Sequence, residues 1–101
     1  MKKALVVAVL SLGCAAPALA DLALATSKNC MSCHAVDRKV LGPSFQDIAV
    51  KYKDNKDAVD LLASKIIKGG SGVWGPVPMP ANNQVSEPDA KKLAAWILTT
   101  K

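Results

Sequence analysis

The sequence predicts an all-α domain of about four short helices, and three observations favour this fold class. Apolar residues recur at helical spacing in separate segments, helix-capping residues stand at the start of such segments, and no useful length of chain alternates apolar and polar residues as a strand does. The 101-residue length allows one small domain and excludes a large enzyme with its own deep cleft. Because only 4% of the residues are aromatic, the side chains alone build a modest core.

Residues 1–20 are typical of a secretory signal peptide. The segment opens with two lysines, continues as an apolar run and ends in Ala18-Leu19-Ala20, which matches the small-residue cleavage pattern. Cleavage after Ala20 is expected to leave residues 21–101 as the domain, exported to the periplasm. With two of the 13 basic residues gone and all 8 acidic residues retained, the formal net charge falls from +5 to +3.

Two alternatives for this N-terminal segment fit less well. A membrane-spanning helix needs about 20 apolar residues, and Gly13 and Pro17 interrupt the run before that length. A lipid anchor on Cys14 would need a lipoprotein cleavage motif, which Ser11 fits poorly. We therefore expect no stable membrane insertion once the signal peptide is removed.

Two helices are predicted in the first half of the remaining chain. The segment from Leu22 to Asn29 is apolar and alanine-rich enough for a helix that carries Cys30 and Cys33 at its end. A second helix is predicted to begin at Ser44, because an acidic residue follows it three positions later. Its apolar face follows the spacing i, i+3, i+4, i+7 and consists of Phe45, Ile48, Ala49 and Tyr52. A polar turn over residues 53–56 ends it.

Two further helices are predicted in the second half. The third runs from Asp57 to the Gly69-Gly70 pair, where glycine ends it. One face of this helix carries Val59, Leu62 and Ile66. The last helix begins at Ser86 as the capping residue, and Pro88 is tolerated in its first turn. Its apolar face consists of Ala90, Leu93, Ala94, Ile97 and Leu98.

The segment Cys30-Met31-Ser32-Cys33-His34 has the pattern C-x-x-C-H, which is the attachment signature of a c-type haem. The two-residue spacer places both sulfurs at one porphyrin edge, where they add to the vinyl groups. The adjacent imidazole then binds the iron. We expect one covalently bound haem c, whose iron cycles between Fe(II) and Fe(III).

Three other uses of these cysteines are less consistent with the sequence. A disulfide within C-x-x-C closes a very small loop and stabilises little. A thioredoxin-type redox pair needs a strand-rich setting, which this segment lacks. A structural zinc site needs four ligands, and the chain without its signal peptide has two cysteines and one histidine.

A second iron ligand is found by elimination. His34 is the only histidine of the chain, and Met31 is confined between the two anchoring cysteines. Met79 is the remaining methionine after residue 20. It lies in the proline strap, residues 75–80, in which three prolines at alternate positions forbid a helix and stiffen the backbone. His34 and Met79 are therefore the predicted axial ligands.

Over residues 21–101 the sequence resembles the small bacterial class I cytochromes c, of the c551 or c552 type. Four segments carry the resemblance: Cys30-Met31-Ser32-Cys33-His34, Val40-Leu41-Gly42-Pro43, residues 72–80 from Gly-Val-Trp-Gly to Pro-Met-Pro, and Ala94-Ala95-Trp96-Ile97-Leu98. The resemblance implies a class I cytochrome c fold, with about four short helices wrapped around one covalently bound haem.

The resemblance also implies three groups that support the haem and its ligands. The carbonyl of Pro43 would accept from the ligating imidazole, the indole of Trp74 would donate to a haem propionate, and Asn82 or Asn83 would contact the sulfur of Met79. Lys65 and Lys68 are weaker candidates for the propionate. The other tryptophan, Trp96, is expected in the core.

The expected function is single-electron carriage rather than catalysis. With His34 and Met79 both on the iron, no position is open for a substrate, so the iron can change only its oxidation state. The implied partners are larger periplasmic redox proteins, with a membrane cytochrome complex as donor and a terminal reductase, oxidase or peroxidase as acceptor. We expect no nucleic-acid binding, because the chain is exported and has no basic helix. We also expect a monomer. The alternatives are an enzyme or sensor in which Met79 dissociates, and a thiol oxidoreductase.

Basic residues surround the predicted haem edge. Lys28, Arg38 and Lys39 flank the C-x-x-C-H motif, and Lys65 and Lys68 precede the glycine-rich loop. Electron-transfer encounters bury little area, so such charges act on orientation and association rate. We expect partners to dock here, and a merely solvated lysine surface is the alternative.

Overall fold

The computed structural model describes the backbone of residues 15–101 and the side chains of residues 21–101, and this part of the chain is helical as predicted. Its elements in order are α1 (Ala15–Ser27), a 3-10 turn (Cys30–Ser32), α2 (Phe45–Tyr52), α3 (Ala58–Lys68) and α4 (Glu87–Ile97). Extended backbone pairs within it only at two isolated bridges, His34 with Lys39 and Gly70 with Met79. Within residues 15–101, no helix is both long and apolar enough to cross a membrane.

Helix α1 differs from the prediction at both ends. It begins at Ala15 rather than Leu22 and ends at Ser27 rather than Asn29. The early end has a local cause, because Asn29 has a φ of 66°, a left-handed conformation that an α-helix does not contain. The prediction that this helix carries both cysteines at its end is therefore wrong. Cys30 begins a separate 3-10 turn, and Cys33 follows that turn directly.

The predicted signal peptide falls only partly within the described chain. Residues 1–14, including Cys14, lie outside the described residues. Residues 15–20 form the first part of α1. The predicted cleavage point after Ala20 therefore falls inside a helix.

The predicted starts of α2 and α4 are confirmed by their capping bonds. The hydroxyl of Ser44 accepts from the Asp47 amide at 3.0 Å, and the hydroxyl of Ser86 accepts from the Asp89 amide at 3.2 Å. Each such cap is worth about 1 kcal/mol. Helix α3 ends as predicted at Gly69, whose φ is 72°.

The core forms where α4 packs against each of the other three helices. Leu93 of α4 is its most completely buried large side chain, with 1% exposed. Trp96 is also buried and meets Phe45 of α2 edge to face, with ring centroids 5.4 Å apart. The expectation that Trp96 belongs to the core is confirmed. Phe45 in turn stacks on the ring of His34, so the core leads directly to the C-x-x-C-H segment.

Candidate haem site

The imidazole of His34 is held on two sides. Its ring stacks on Phe45 at 5.2 Å between centroids, and its Nδ1 lies 2.8 Å from the carbonyl oxygen of Pro43. An Nδ1–H that donates to a carbonyl leaves the lone pair on Nε2 for a metal and fixes the ring orientation. The structure thus brings His34 and Pro43 together in the way that the resemblance implies.

Gly42 lies against the same imidazole, which the sequence analysis did not anticipate. A Cβ atom on Gly42 would lie 2.6 Å from Cε1 of His34 and 3.0 Å from its Nδ1. The backbone reaches this position because the amides of Leu41 and Gly42 both donate to the carbonyl of Cys33, at 3.1 and 2.8 Å. The Leu-Gly-Pro segment marks a glycine in this loop. The sequence does not show that His34 packs on it, because that contact depends on how the loop folds back onto Cys33.

The amino end of α2 is bonded to the chain that follows His34. The amides of Phe45 and Gln46 donate to the carbonyls of Ala35 and Val36, at 2.9 and 3.0 Å. Helix α2 therefore satisfies two of its unpaired first-turn amides with this loop. The same bonds fix the loop that returns from His34 to Pro43.

Cys30 and Cys33 are both free thiols and both partly exposed. The carbonyl of Cys30 accepts from the amides of Cys33 and His34, at 3.2 and 3.0 Å, which closes the turn between them. Burial raises the pKa of the Cys30 thiol, a backbone hydrogen bond lowers it by less, and the neighbouring Cys33 adds a still smaller increase, so the net direction is upward. The Cys30 thiol therefore keeps its proton at neutral pH.

The proline strap is attached to the chain just after α3. Met79 and Gly70 exchange a pair of backbone hydrogen bonds, 2.7 Å from the Met79 amide and 3.0 Å from the Gly70 amide. Gly69 makes the close crossing possible, since a Cβ there would collide with the Met79 carbonyl oxygen and lie 2.8 Å from the Ala81 nitrogen. The half-buried side chain of Met79 is thus carried on a backbone with a fixed position.

Asn82 attaches the end of the strap to the last turn of α3. Its side-chain amide donates to the carbonyl of Ile66 at 2.8 Å, and its backbone amide donates to Ile67 at 3.0 Å. These bonds occupy carbonyls that the helix end leaves unpaired. The structure directs the Asn82 amide to α3 rather than to the Met79 sulfur, and Asn83 is exposed.

Trp74 lies on the glycine-rich loop and is 43% exposed. A hydrogen bond of 3.1 Å from the Gly72 amide to the Gly75 carbonyl closes this loop. The ammonium of Lys51, from α2, lies 5.5 Å from the centroid of the indole ring. Of the weaker propionate candidates, Lys65 is half-buried and Lys68 is exposed.

The donor set fits a covalently attached haem better than a zinc ion. Two free thiols lie within one turn, and the next residue is an imidazole whose Nδ1 is already bonded. Within residues 21–101, no group of three or more His, Cys, Asp or Glu side chains is arranged to hold a metal ion. Covalent attachment needs only the two sulfurs at one edge, and the iron then needs only the imidazole and a second donor such as a thioether.

Cytochromes c are among the known proteins with similar sequences. The Cytochrome c family model matches residues 22–101. Cytochrome c-552 of Hydrogenobacter thermophilus is 54% identical over 101 residues, which is 100% of both chains. Cytochrome c-552 of Nitrosomonas europaea is 57% identical over 84 residues, which cover 83% of this chain and 82% of that protein.

Solved structures agree with these sequence matches. The crystal structure of wild-type cytochrome c552 from Nitrosomonas europaea has a TM-score of 0.78 and 56% identity, covering 79% of this chain and 99% of that one. The class 1 cytochrome MtoD from Sideroxydans lithotrophicus ES-1 has a TM-score of 0.64 and 30% identity, covering 80% of this chain and 92% of that one.

Proposed function

The chain belongs to the cytochrome c family, and from that premise we propose that it carries single electrons in the periplasm on an iron ligated by His34 and Met79. One covalently bound c-type haem is its cofactor, and it is an electron carrier. The haem supplies a reversible Fe(II)/Fe(III) couple. The observation that carries the proposal is the 2.8 Å contact between Nδ1 of His34 and the Pro43 carbonyl, since it leaves Nε2 for the iron.

Cys30 and Cys33 attach the porphyrin in this proposal. Each thiol would add to a vinyl group of the haem, its sulfur bonding to one carbon and its hydrogen going to the other. The addition needs no oxidant, and it needs thiols that are not already joined to each other. The free state of both sulfurs supports this role.

His34 and Met79 would supply the two protein ligands of the haem iron. His34 is held by Phe45 and Pro43, and Met79 is held through its backbone pair with Gly70. A stiff strap loses little conformational entropy when a weak thioether binds. If both residues bind the iron, no position would remain for a substrate, which favours electron carriage over catalysis.

The N-terminal segment supports the proposed periplasmic location, and the surface charge supports docking of protein partners. Residues 1–20 would direct export, and cleavage after Ala20 would release residues 21–101. The partners would be larger redox proteins, a membrane cytochrome complex on the donor side and a terminal reductase, oxidase or peroxidase on the acceptor side. The exposed Arg38 and Lys39 beside the C-x-x-C-H segment support docking there.

Replacement of Met79 tests the ligation. Met79→Ala should remove the weak charge-transfer absorption of sulfur on Fe(III) at the red end of the spectrum and lower the reduction potential, since a thioether favours Fe(II). The haem should stay with the protein on acid-acetone extraction. Met31→Ala is the matched control, because it removes the other thioether of the exported chain and should leave the band in place. An unchanged band in Met79→Ala would mean that another group binds the iron.

A further inference from the structure

Lys51 and Trp74 come from different parts of the chain and meet at the surface. Lys51 lies in the last turn of α2, and Trp74 lies on the loop that Gly72 and Gly75 close. The Lys51 ammonium lies 5.5 Å from the indole centroid and 5.9 Å from the ring of Tyr52. A lysine ammonium at about 6 Å or less over an aromatic face is attracted by the ring quadrupole.

Trp74 lies on an open, glycine-rich loop and is only partly packed. Gly72 and Gly75 have φ angles of 92° and 118°, and a Cβ added at either glycine would meet no atom within 4 Å. Trp96, by comparison, is 9% exposed and packs on Phe45, whereas Trp74 is 43% exposed. The orientation of the Trp74 indole therefore depends on what contacts its face.

The Lys51 ammonium is available for this contact. Among the side chains of residues 21–101, the ion pairs involve Arg38 with Asp37 and Lys91 with Asp60 and Glu87. Lys51 takes part in none of them, so its charge faces the two aromatic rings. Tyr52 is buried and fixed in the core, which leaves Trp74 as the ring whose position the lysine can change.

We propose that Lys51 is a positioning residue that fixes the plane of the Trp74 indole and so directs its N–H toward the haem edge. This inference rests on the proposed function and on the role that the resemblance implies for Trp74, donation to a haem propionate. A cation over the ring face also draws electron density from the indole, which strengthens the N–H as a donor. Lys51 thus acts on the haem edge through Trp74 rather than by touching the haem.

The holoprotein with ¹⁵N-labelled tryptophan provides the test, because the chain has two tryptophans and therefore two indole N–H signals. Trp74→Phe assigns them. Lys51→Met keeps the length of the side chain and removes its charge, and Lys51→Arg keeps a cation. Lys53→Met is the matched control, since Lys53 is the next lysine along, is exposed, and lies directly after α2.

In Lys51→Met the Trp74 indole signal should shift, and its N–H should exchange with water roughly two- to fivefold faster, the factor expected from loss of an exposed cation–π contact. Lys51→Arg should restore both values, and Lys53→Met should leave both unchanged. The Trp96 signal should stay constant in every variant, which reports that the fold is intact. Lys51→Gln repeats the charge loss with a polar side chain if the methionine variant does not fold.

Two results would overturn the inference. One is a Trp74 signal in Lys51→Met identical to that of the wild type. The other is an equal change in Lys51→Met and Lys53→Met, which would reflect net charge alone. The visible spectrum separates this failure from failure of the proposed function. An unchanged Trp74 signal in Lys51→Met, with the sulfur–iron band intact, contradicts only the role of Lys51. Absence of that band from the wild type would contradict the ligation itself.

Discussion

At the scale of single residues, the position of the His34 imidazole depends on an atom that residue 42 lacks. Gly42→Ala places a Cβ 2.6 Å from Cε1 of His34, so the ring or the loop must move. The ring is already bonded to Pro43 and stacked on Phe45, which limits how far it can shift. We expect a loss of about 1–3 kcal/mol in the free energy of unfolding, as for other overpacked sites, together with a changed reduction potential.

Chemical denaturation and voltammetry of the holoprotein measure the two effects. Gly70→Ala is the matched control, because a Cβ at Gly70 would meet no atom within 4 Å. It should change both quantities little. Equal losses in the two variants would show that the contact with His34 is not the cause.

The sequence predicted the residue roles that depend on neighbouring positions in the chain, and it missed those that depend on how the chain folds. The capping roles of Ser44 and Ser86 are local, since each hydroxyl bonds an amide three positions later, and the sequence predicted both. The contact of Gly42 with His34 depends on how the intervening loop folds back, and no spacing rule encodes it. The direction of the Asn82 amide depends likewise on where α3 ends relative to the strap.

At the scale of elements, the junction between α3 and the proline strap depends on Gly69 in two ways. Its φ of 72° is unfavourable for other residues, and a Cβ there would collide with the Met79 carbonyl. Gly69→Ala should therefore lose roughly 2–4 kcal/mol of unfolding free energy, the sum of backbone strain and overpacking. It should also weaken the sulfur–iron band, because the Met79 backbone has to move.

Gly72→Ala separates these two causes. Gly72 has a φ of 92° but open space around its Cβ position, so only the strain remains, about 1 kcal/mol. Thermal unfolding and the visible spectrum of both variants make the comparison. A similar loss of unfolding free energy in Gly69→Ala and Gly72→Ala, with the sulfur–iron band intact in both, would contradict a role for the close contact between Gly69 and Met79.

The first helix leads to a prediction about processing. Cleavage after Ala20 would shorten α1 to residues 21–27, with Asp21 as the first residue of the helix. The exported protein should begin at Asp21, because Ala18-Leu19-Ala20 matches the cleavage pattern, and intact mass and N-terminal sequencing would report this. Ala20→Phe should block cleavage, because the position before the cut requires a small residue.

Leu19→Phe is the control for that experiment, since the middle position of the A-x-A pattern accepts any residue. It should be processed like the wild type. A mature protein that keeps residues 1–20, or one that carries lipid on Cys14, would contradict the proposed cleavage site.

The sequence pattern predicted the buried faces of the helices better than it predicted the helix ends. The apolar spacing predicted the buried face of α2, and Phe45, Ile48, Ala49 and Tyr52 are all buried. The same rules missed the end of α1, which depends on the left-handed φ of Asn29. Asparagine can adopt either a right-handed or a left-handed conformation, so its presence alone does not mark a helix end. Periodicity detects which face is buried, whereas a single unusual dihedral angle leaves no periodic trace.

At the scale of the whole molecule, the predicted class I cytochrome c fold is confirmed. The basic surface of this fold leads to a prediction about docking. If partners dock beside the C-x-x-C-H segment, Lys39→Glu should slow second-order electron transfer to an acidic redox protein at low salt. The effect should fade as ionic strength rises, because exposed charges are screened. Stopped-flow rates across a salt series measure it.

Lys92→Glu makes the same change of charge on the exposed side of α4 and serves as the control. Its effect should be smaller than that of Lys39→Glu, and Lys28→Glu should resemble Lys39→Glu. Electron-transfer rates that change neither with salt nor in Lys28→Glu and Lys39→Glu would indicate an uncharged contact at the haem edge.

The attachment of the strap to α3 also has a consequence for the motions of the native protein. Met79 pairs with Gly70, and Asn82 bonds to Ile66 and Ile67, so the strap cannot lift away without opening the end of a helix. Release of the sulfur from the iron would then be a cooperative opening of one segment rather than the swing of one side chain. The amides of Gly70, Met79 and Asn82 should accordingly exchange with solvent at one common opening free energy, below that of the α4 amides packed around Leu93.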